Sequence, residues 1–150
     1  MADDMMAYRV RCDCGNIEMT FETAKTPEML GVRACDCSFC AARNGRSISD
    51  PDGRVHIRVR DAAKLSRYRF GLKTADFLVC RECGAYTGAY FPDDDGRGYA
   101  IVSANYLEKP HGFIQEATHM DYHAETADDR RARRRIRWTP VASFTEGAGA

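Results

Sequence analysis

The sequence predicts a mostly β domain with one short C-terminal helix, organised around bound zinc. Short stretches in which apolar and polar residues alternate recur along the chain, and turn residues separate them. All seven cysteines fall into three clusters, at residues 12–14, 35–40 and 80–83. Near the C-terminus, acidic residues precede a run of arginines, an order that favours a helix because it complements the helix dipole.

The strands are predicted from a period of two. Residues 16–22 place Ile17, Met19 and Phe21 on one face and polar residues on the other, which is typical of a half-buried strand. Residues 54–60 repeat the pattern after the turn signal Asp-Pro-Asp-Gly. Strands or extended segments are predicted at residues 8–11, 16–22, 47–49, 54–60, 65–70, 75–79, 85–91, 99–104 and 136–142.

Two helical segments are predicted. Ser38 is a candidate N-cap for a single turn over residues 39–43. The longer helix covers residues 125–135, within an arginine-rich C-terminal extension at about 125–137, and Thr126 can cap it. Six arginines lie between positions 130 and 137. Trp138 is assigned to the closing strand, and residues 145–150 are expected to fray.

Length and charge limit the function classes. A chain of 150 residues is expected to form a single domain spanning residues 1–150. The formal net charge is zero, so no overall field attracts nucleic acid or an anionic membrane. The N-terminus lacks the pattern of a signal peptide, and no stretch has the ~20 apolar residues of a membrane span. We expect a soluble, cytoplasmic protein without a membrane partner; nucleic acid is not an expected partner, and the oligomeric state stays open.

In a reducing compartment, clustered cysteines are expected to be metal ligands or catalytic groups rather than disulfides. The chain has seven cysteines, and an odd number cannot all form disulfides. Each CxC or CxxC pair places two sulfurs near enough for bonds of ~2.3 Å to one ion. The first and last clusters are predicted to share a structural zinc. A glycine follows each of these pairs, where a tight turn often needs the positive φ that glycine adopts freely. An alternative is that the central cluster supplies part of that site and that the remaining cysteines are free buried thiols. The predicted structural ligands are Cys12, Cys14, Cys80 and Cys83.

Cys35, Cys37 and Cys40 then form a second, three-thiolate site with an open coordination position. A thiol substrate that enters this position loses its proton to the metal, so the site holds a thiolate at neutral pH. Ser38 and Arg43 are close enough in sequence to offer hydrogen-bond donors.

The order C-x-C-G, C-x-C-S-x-C and C-x-x-C-G resembles the glutathione-dependent formaldehyde-activating enzyme family, which includes centromere protein V. The resemblance covers about residues 8–107 and implies a zinc-bearing β-tent of small antiparallel sheets. It implies the same structural zinc, with the central triplet as a catalytic, substrate-dependent second zinc site. The implied activity is a carbon–sulfur lyase reaction that joins a glutathione-like thiol to formaldehyde as S-hydroxymethylglutathione, and its reverse. Unlike many relatives, this chain has Ala41 and Ala42, rather than a basic residue, directly after Cys40.

Other hypotheses stay open. The chain can be a non-catalytic zinc module that binds protein or nucleic acid through its arginines, or a redox sensor whose central thiols are metal-free. The favoured interpretation of the arginine run is a solvated helix face, because most charge runs are solvated. His119 and His123 are interpreted as surface or interface residues, and the acidic residues 93–95 as a solvated turn.

Overall fold

The structure is a computed structural model that describes residues 5–148. The predicted mostly β fold with a short C-terminal helix is confirmed. No helix among these residues is both long and apolar enough to cross a membrane. The helices are α1 (Pro27–Leu30), α2 (Ser38–Ala42) and α3 (Ala127–Arg137). The strands are β1 (Met6–Arg11), β2 (Ile17–Thr23), β3 (Arg33–Cys35), β4 (Ser47–Ile48), β5 (Arg54–Val59), β6 (Leu65–Tyr68), β7 (Asp76–Cys80), β8 (Tyr86–Pro92), β9 (Gly98–Ser103), β10 (Thr118–Met120) and β11 (Thr139–Glu146).

The strands are connected through hydrogen-bonded pairs in the order β1-β2-β5-β11-β9-β4-β3-β10, and β6, β7 and β8 extend the sheet from β9. Most pairs are antiparallel, but β11 runs parallel to β5 and β10 runs parallel to β3. Parallel neighbours need a long crossover between them. Local turn signals therefore predict the antiparallel hairpins but not these two long-range pairs.

The core follows the alternation of the strands. The apolar residues of β2 and β5 are buried and their neighbours are more exposed, as the period of two predicts. The two strands pair antiparallel, so that their apolar faces contribute to one core. That core also includes Cys12 and Cys80, which places the first and last cysteine clusters against it. The buried strand residues are Ile17, Met19, Phe21, Val55, Ile57 and Val59.

Helix α3 begins with a capping box. The side chain of Thr126 accepts a hydrogen bond from the N–H of Asp129, and the Asp129 carboxylate accepts one from the N–H of Thr126. The prediction of the cap is therefore confirmed.

The boundary between α3 and β11 differs from the prediction. The helix continues through Ile136 and Arg137, and Trp138 follows it with a backbone N–H that still donates to Arg134. The predicted strand start was therefore wrong by three residues, because the helical hydrogen bonds continue into the apolar segment. The strand also extends to Glu146 by pairing with β5, where fraying was expected, and residues 149–150 lie outside the described range.

A bidentate ion pair attaches α3 to the β8–β9 hairpin. Arg135 Nε and Nη2 donate to the two carboxylate oxygens of Asp93 at 2.6 Å each. Asp93 is buried, so the expectation of a solvated turn at residues 93–95 was wrong for this residue. The hydrogen bonds with Arg135 lower the pKa of the Asp93 carboxyl. Because the carboxylate stays charged, the ion pair helps to fix the position of the helix.

Asp93→Asn is expected to lower the Tm by about 2–6 °C at pH 7, as suits the loss of one bidentate ion pair in a chain of this size. The lowered pKa means that the charged carboxylate stabilises the fold above its unfolded pKa, and that this contribution disappears as the pH falls through the folded pKa. The difference in Tm between wild type and variant, followed by circular dichroism, should therefore shrink below about pH 4. An equal difference at pH 3 and pH 7 would contradict the ion-pair explanation.

Candidate functional site

The first candidate metal site joins the turn after β1 to the turn after β7. Four cysteine sulfurs lie within 4.8 Å of one another. The sulfurs of Cys12 and Cys14 are 3.7 Å apart, and those of Cys14 and Cys80 are 3.5 Å apart. Sulfurs bonded at ~2.3 Å to a central tetrahedral zinc stand about 3.8 Å from each other, so the spacing fits one ion. The four residues are Cys12, Cys14, Cys80 and Cys83.

Each cysteine pair of this site lies on a tight turn, or knuckle, that a backbone hydrogen bond closes. The N–H of Gly15 donates to Cys12 O, and the N–H of Gly84 donates to Cys80 O, each at 2.9 Å. The φ angles of these glycines are 81° and 77°, in the left-handed region that glycine adopts freely. The N–H of Ile17 donates to Cys12 Sγ at 3.2 Å. The sequence-based expectation of a positive φ after each pair is confirmed.

Burial and backbone donors give these thiols different acidities. Burial raises the pKa of Cys12, and it raises the pKa of Cys80 to about 12. Burial also raises the pKa of Cys83, but backbone N–H groups at Cys14 and Ala85 outweigh it and lower the pKa to about 7. Four thiolates in this space therefore require a cation to balance their charge.

The second cluster lies where β3 leads into α2. The sulfurs of Cys35, Cys37 and Cys40 lie within 4.8 Å of one another. Cys37 is the N-cap of α2, and its sulfur accepts the backbone N–H of Cys40 at 3.4 Å. The prediction of Ser38 as the cap was wrong, because Ser38 is already the first helical residue. The helix start thus helps to hold two of the three sulfurs together.

Charge is shared unevenly among these three thiols. Hydrogen bonds from Cys35 and Cys40, together with backbone donors at Cys40 and Phe39, lower the pKa of Cys37 far below its ordinary value. The hydrogen bond with Cys37 raises the pKa of Cys35, and the hydrogen bonds with Cys35 and Cys37 raise the pKa of Cys40. Backbone donors at the start of α2 therefore favour a thiolate at Cys37.

Helix α2 packs against a cluster of aromatic side chains through Phe39. The ring of Phe39 packs at 4.9 Å from the rings of Phe77 and Tyr86, measured between centroids, and at 5.3 Å from Phe70. Tyr86 is buried, and its burial and the nearby thiols raise its pKa, which keeps its hydroxyl protonated. Sequence reasoning did not assign these residues to the site. A signal for this cluster was the pair of aromatic residues, Tyr68 and Phe70, at the end of the predicted strand 65–70.

A cavity of about 740 Å³ opens beside the triplet. Ser38 lines it, as a donor near the substrate should. Arg43 does not: its guanidinium lies 3.8 Å from the centre of the Phe39 ring, and it donates to Phe39 O at 3.1 Å. His123 lines the cavity, whereas the exposed His119 lies 3.0 Å from Asp36. Neither histidine belongs to a metal-binding cluster among residues 5–148.

The family model of the glutathione-dependent formaldehyde-activating enzyme matches residues 7–123. The chain belongs to this family. A crystal structure of a Rhodobacter sphaeroides protein, solved as a structural genomics target, is 31% identical and has a TM-score of 0.53. The similarity covers 75% of this chain and 99% of that one. None of the curated proteins matches the chain.

Both candidate metal sites lie inside the residues that match the model of the glutathione-dependent formaldehyde-activating enzyme family. The match continues beyond residues 8–107, which carried the resemblance in the sequence. It ends before α3, which begins at Ala127. The arginines that α3 contributes to the cavity therefore lie outside the family region.

The favoured interpretation of the arginine run as a solvated helix face was wrong for three of its members. Arg134 is buried, and Arg130 and Arg133 are half-buried. All three line the cavity that also contains the triplet. The sequence could not predict this, because it depends on which face of α3 packs against the sheet.

Proposed function

We propose that this family member is a zinc-dependent carbon–sulfur lyase that acts on the adduct of a small thiol and an aldehyde, of the glutathione and formaldehyde type. The observation that carries the proposal is the separation of three thiols from the four-cysteine cluster, with a large cavity beside them. A volume of about 740 Å³ lies within the range of small-molecule sites and accommodates a thiol of tripeptide size.

In this proposal the seven cysteines hold two ions. The sulfur spacing and the absence of any disulfide among the described residues support this assignment. When bound at the triplet, zinc supplies a positive charge that favours the deprotonated form of a substrate thiol. The structural ligands are Cys12, Cys14, Cys80 and Cys83, and the ligands of the second, substrate-dependent site are Cys35, Cys37 and Cys40.

The chain's own residues bind the reactants and control the proton. Thiol and aldehyde combine without loss of an atom: the sulfur bonds to the carbonyl carbon, the π pair moves to oxygen, and oxygen receives a proton in place of the one lost by sulfur. Ser38 lines the cavity next to Cys37 and offers a hydroxyl to this oxygen. Phe70 and Phe77 provide an apolar wall that limits the access of water.

A non-catalytic module that binds nucleic acid has less support. Its strongest feature was the arginine run, but Arg130, Arg133 and Arg134 face the cavity and are at least half-buried. Phosphate backbones are bound by accessible arginines on an outer surface.

The proposed activity is tested by measuring how fast a thiol exchanges with its hydroxymethyl adduct. Glutathione and formaldehyde are mixed with the protein as isolated, and exchange spectroscopy by NMR gives the rates of adduct formation and breakdown. The protein is expected to increase both rates by the same factor, because a catalyst does not shift the equilibrium. Rates equal to those of the protein-free mixture, with glutathione and with other small thiols, would refute the lyase.

A further inference from the structure

The cavity beside the thiol triplet has a basic wall that the proposed chemistry does not use. Acidic side chains are fewer there, with only Asp36 and Asp121 among the lining residues of the described chain. One of the arginines comes from β3, inside the family region, and four come from α3, outside it. The arginines that line the cavity are Arg33, Arg130, Arg133, Arg134 and Arg137.

Glu125 is the one carboxylate within residues 5–148 that forms ion pairs with this wall. It accepts hydrogen bonds from Arg133 Nε and Nη2 at 2.9 and 3.0 Å, and lies 3.7 Å from Arg130 Nε. The other three arginines form no ion pair with a carboxylate of the described residues. Positive charge therefore remains in excess on this side of the cavity.

Arg134 shows that this excess is built into the fold. The residue is 5% exposed, and its Nε has no hydrogen-bond partner among residues 5–148. The Nε of Arg130 is likewise buried, and its 3.7 Å ion pair with Glu125 is too long for a hydrogen bond. The Arg134 guanidinium is held by Thr74 Oγ1 and lies 4.8 Å from the centre of the Trp138 ring. A buried charged group whose N–H has no partner is costly, so this side of the cavity favours a ligand that brings a negative charge near it.

The electrostatics agree with this geometry. Burial lowers the pKa of Arg134 to about 9, and the charges of Arg133 and Arg130 contribute in the same direction. The side chain is still charged at neutral pH, and an anion placed between these guanidinium groups would relieve their repulsion.

We propose that these arginines form an anion-binding subsite that receives a carboxylate or phosphate group at the distal end of the thiol substrate. The planar guanidinium donates two parallel hydrogen bonds to either group. The inference deepens the proposed function and rests on it for the thiol end of the ligand. It adds that this family member selects an acidic thiol, and that α3 supplies most of the selection.

Two arginines of α3 lie outside the cavity and can be compared with those that line it. Arg131 pairs with Asp128 at 3.2 Å, Arg135 pairs with Asp93, and neither lines the cavity. Arg131→Gln therefore removes the same charge from the same helix without changing the subsite.

The test is isothermal titration calorimetry of the protein as isolated, at low salt, with probes that carry no thiol: succinate and inorganic phosphate. At least one probe should bind, and Arg130→Gln and Arg137→Gln should each weaken its Kd about tenfold, as the loss of one charge-assisted contact does. Arg131→Gln should leave the Kd unchanged. Arg137 is exposed, so its variant should disturb the fold less than the other, and circular dichroism checks the fold of both variants.

The outcomes separate the ligand classes. Binding of succinate alone assigns a carboxylate subsite, and binding of phosphate alone assigns a phosphate subsite. Binding of neither probe would overturn the proposal, as would an equal effect of Arg131→Gln. Because the probes contain no thiol, their binding does not depend on turnover. Bound succinate without catalysis would refute only the lyase, and catalysis without anion binding would refute only the subsite.

Discussion

Cys80→Ser is expected to unfold the protein at 25 °C. Cys80 is buried in the main core, and its sulfur lies 3.5 Å from that of Cys14, on the far knuckle of the four-cysteine cluster. Structural zinc contributes about 10–16 kcal/mol of apparent binding free energy, whereas whole domains are stable by about 5–15 kcal/mol. Loss of the site therefore removes most or all of the stability. Far-UV circular dichroism and thermal unfolding measure the result.

Cys37→Ser is the matched control, because it also exchanges one clustered cysteine for serine. Its Tm should stay within a few degrees of the wild-type value. Serine is a good N-cap, so the start of α2 is preserved. A Cys80→Ser variant that unfolds cooperatively at the wild-type Tm would contradict the structural role of the four-cysteine cluster.

Cys37→Ser is expected to reduce the catalysed exchange of glutathione adducts more than about 100-fold. Even residues that only support a metal ligand cost about 10–100-fold when they are removed, and in the proposed mechanism Cys37 is itself a ligand. It is also the one thiol of the triplet whose pKa is lowered, so its loss removes the sulfur that most readily holds a negative charge. The measurement is the rate from exchange spectroscopy, made on protein whose fold has been checked by circular dichroism.

Arg131→Gln is the control for this experiment as well, since its side chain lies outside the cavity. Its rates should equal those of the wild type. If Cys37→Ser kept the full wild-type rates, the triplet would have no part in the reaction and the proposed mechanism would fail.

The turns that carry the cysteine pairs could be predicted because their signals are local. Each CxC or CxxC pair fixes two sulfurs on one turn, and the glycines that follow Cys14 and Cys83 have the positive φ that these turns require. The strands of the core were predictable for the same reason, since alternation in β2 and β5 directly gives the buried face.

The basic wall of the cavity could not be predicted because it depends on contacts between distant segments. The run at residues 130–137 has the composition of a solvated helix. Its inward face depends on tertiary packing, in which the buried Arg134 donates a hydrogen bond to Thr74, sixty positions away along the chain. The same holds for the buried Asp93, whose ion-pair partner Arg135 lies 42 positions further along the chain. Local patterns carry no information about either contact.

The zinc content of a variant with serine at positions 35, 37 and 40 measures most directly whether two distant knuckles share one ion while the triplet acts separately. We expect this variant to fold and to retain one zinc per chain. The wild type should bind one zinc that rises towards two when glutathione is added. A folded variant without zinc would show that the triplet contributes to the structural site, and would contradict the division of the seven cysteines into four and three.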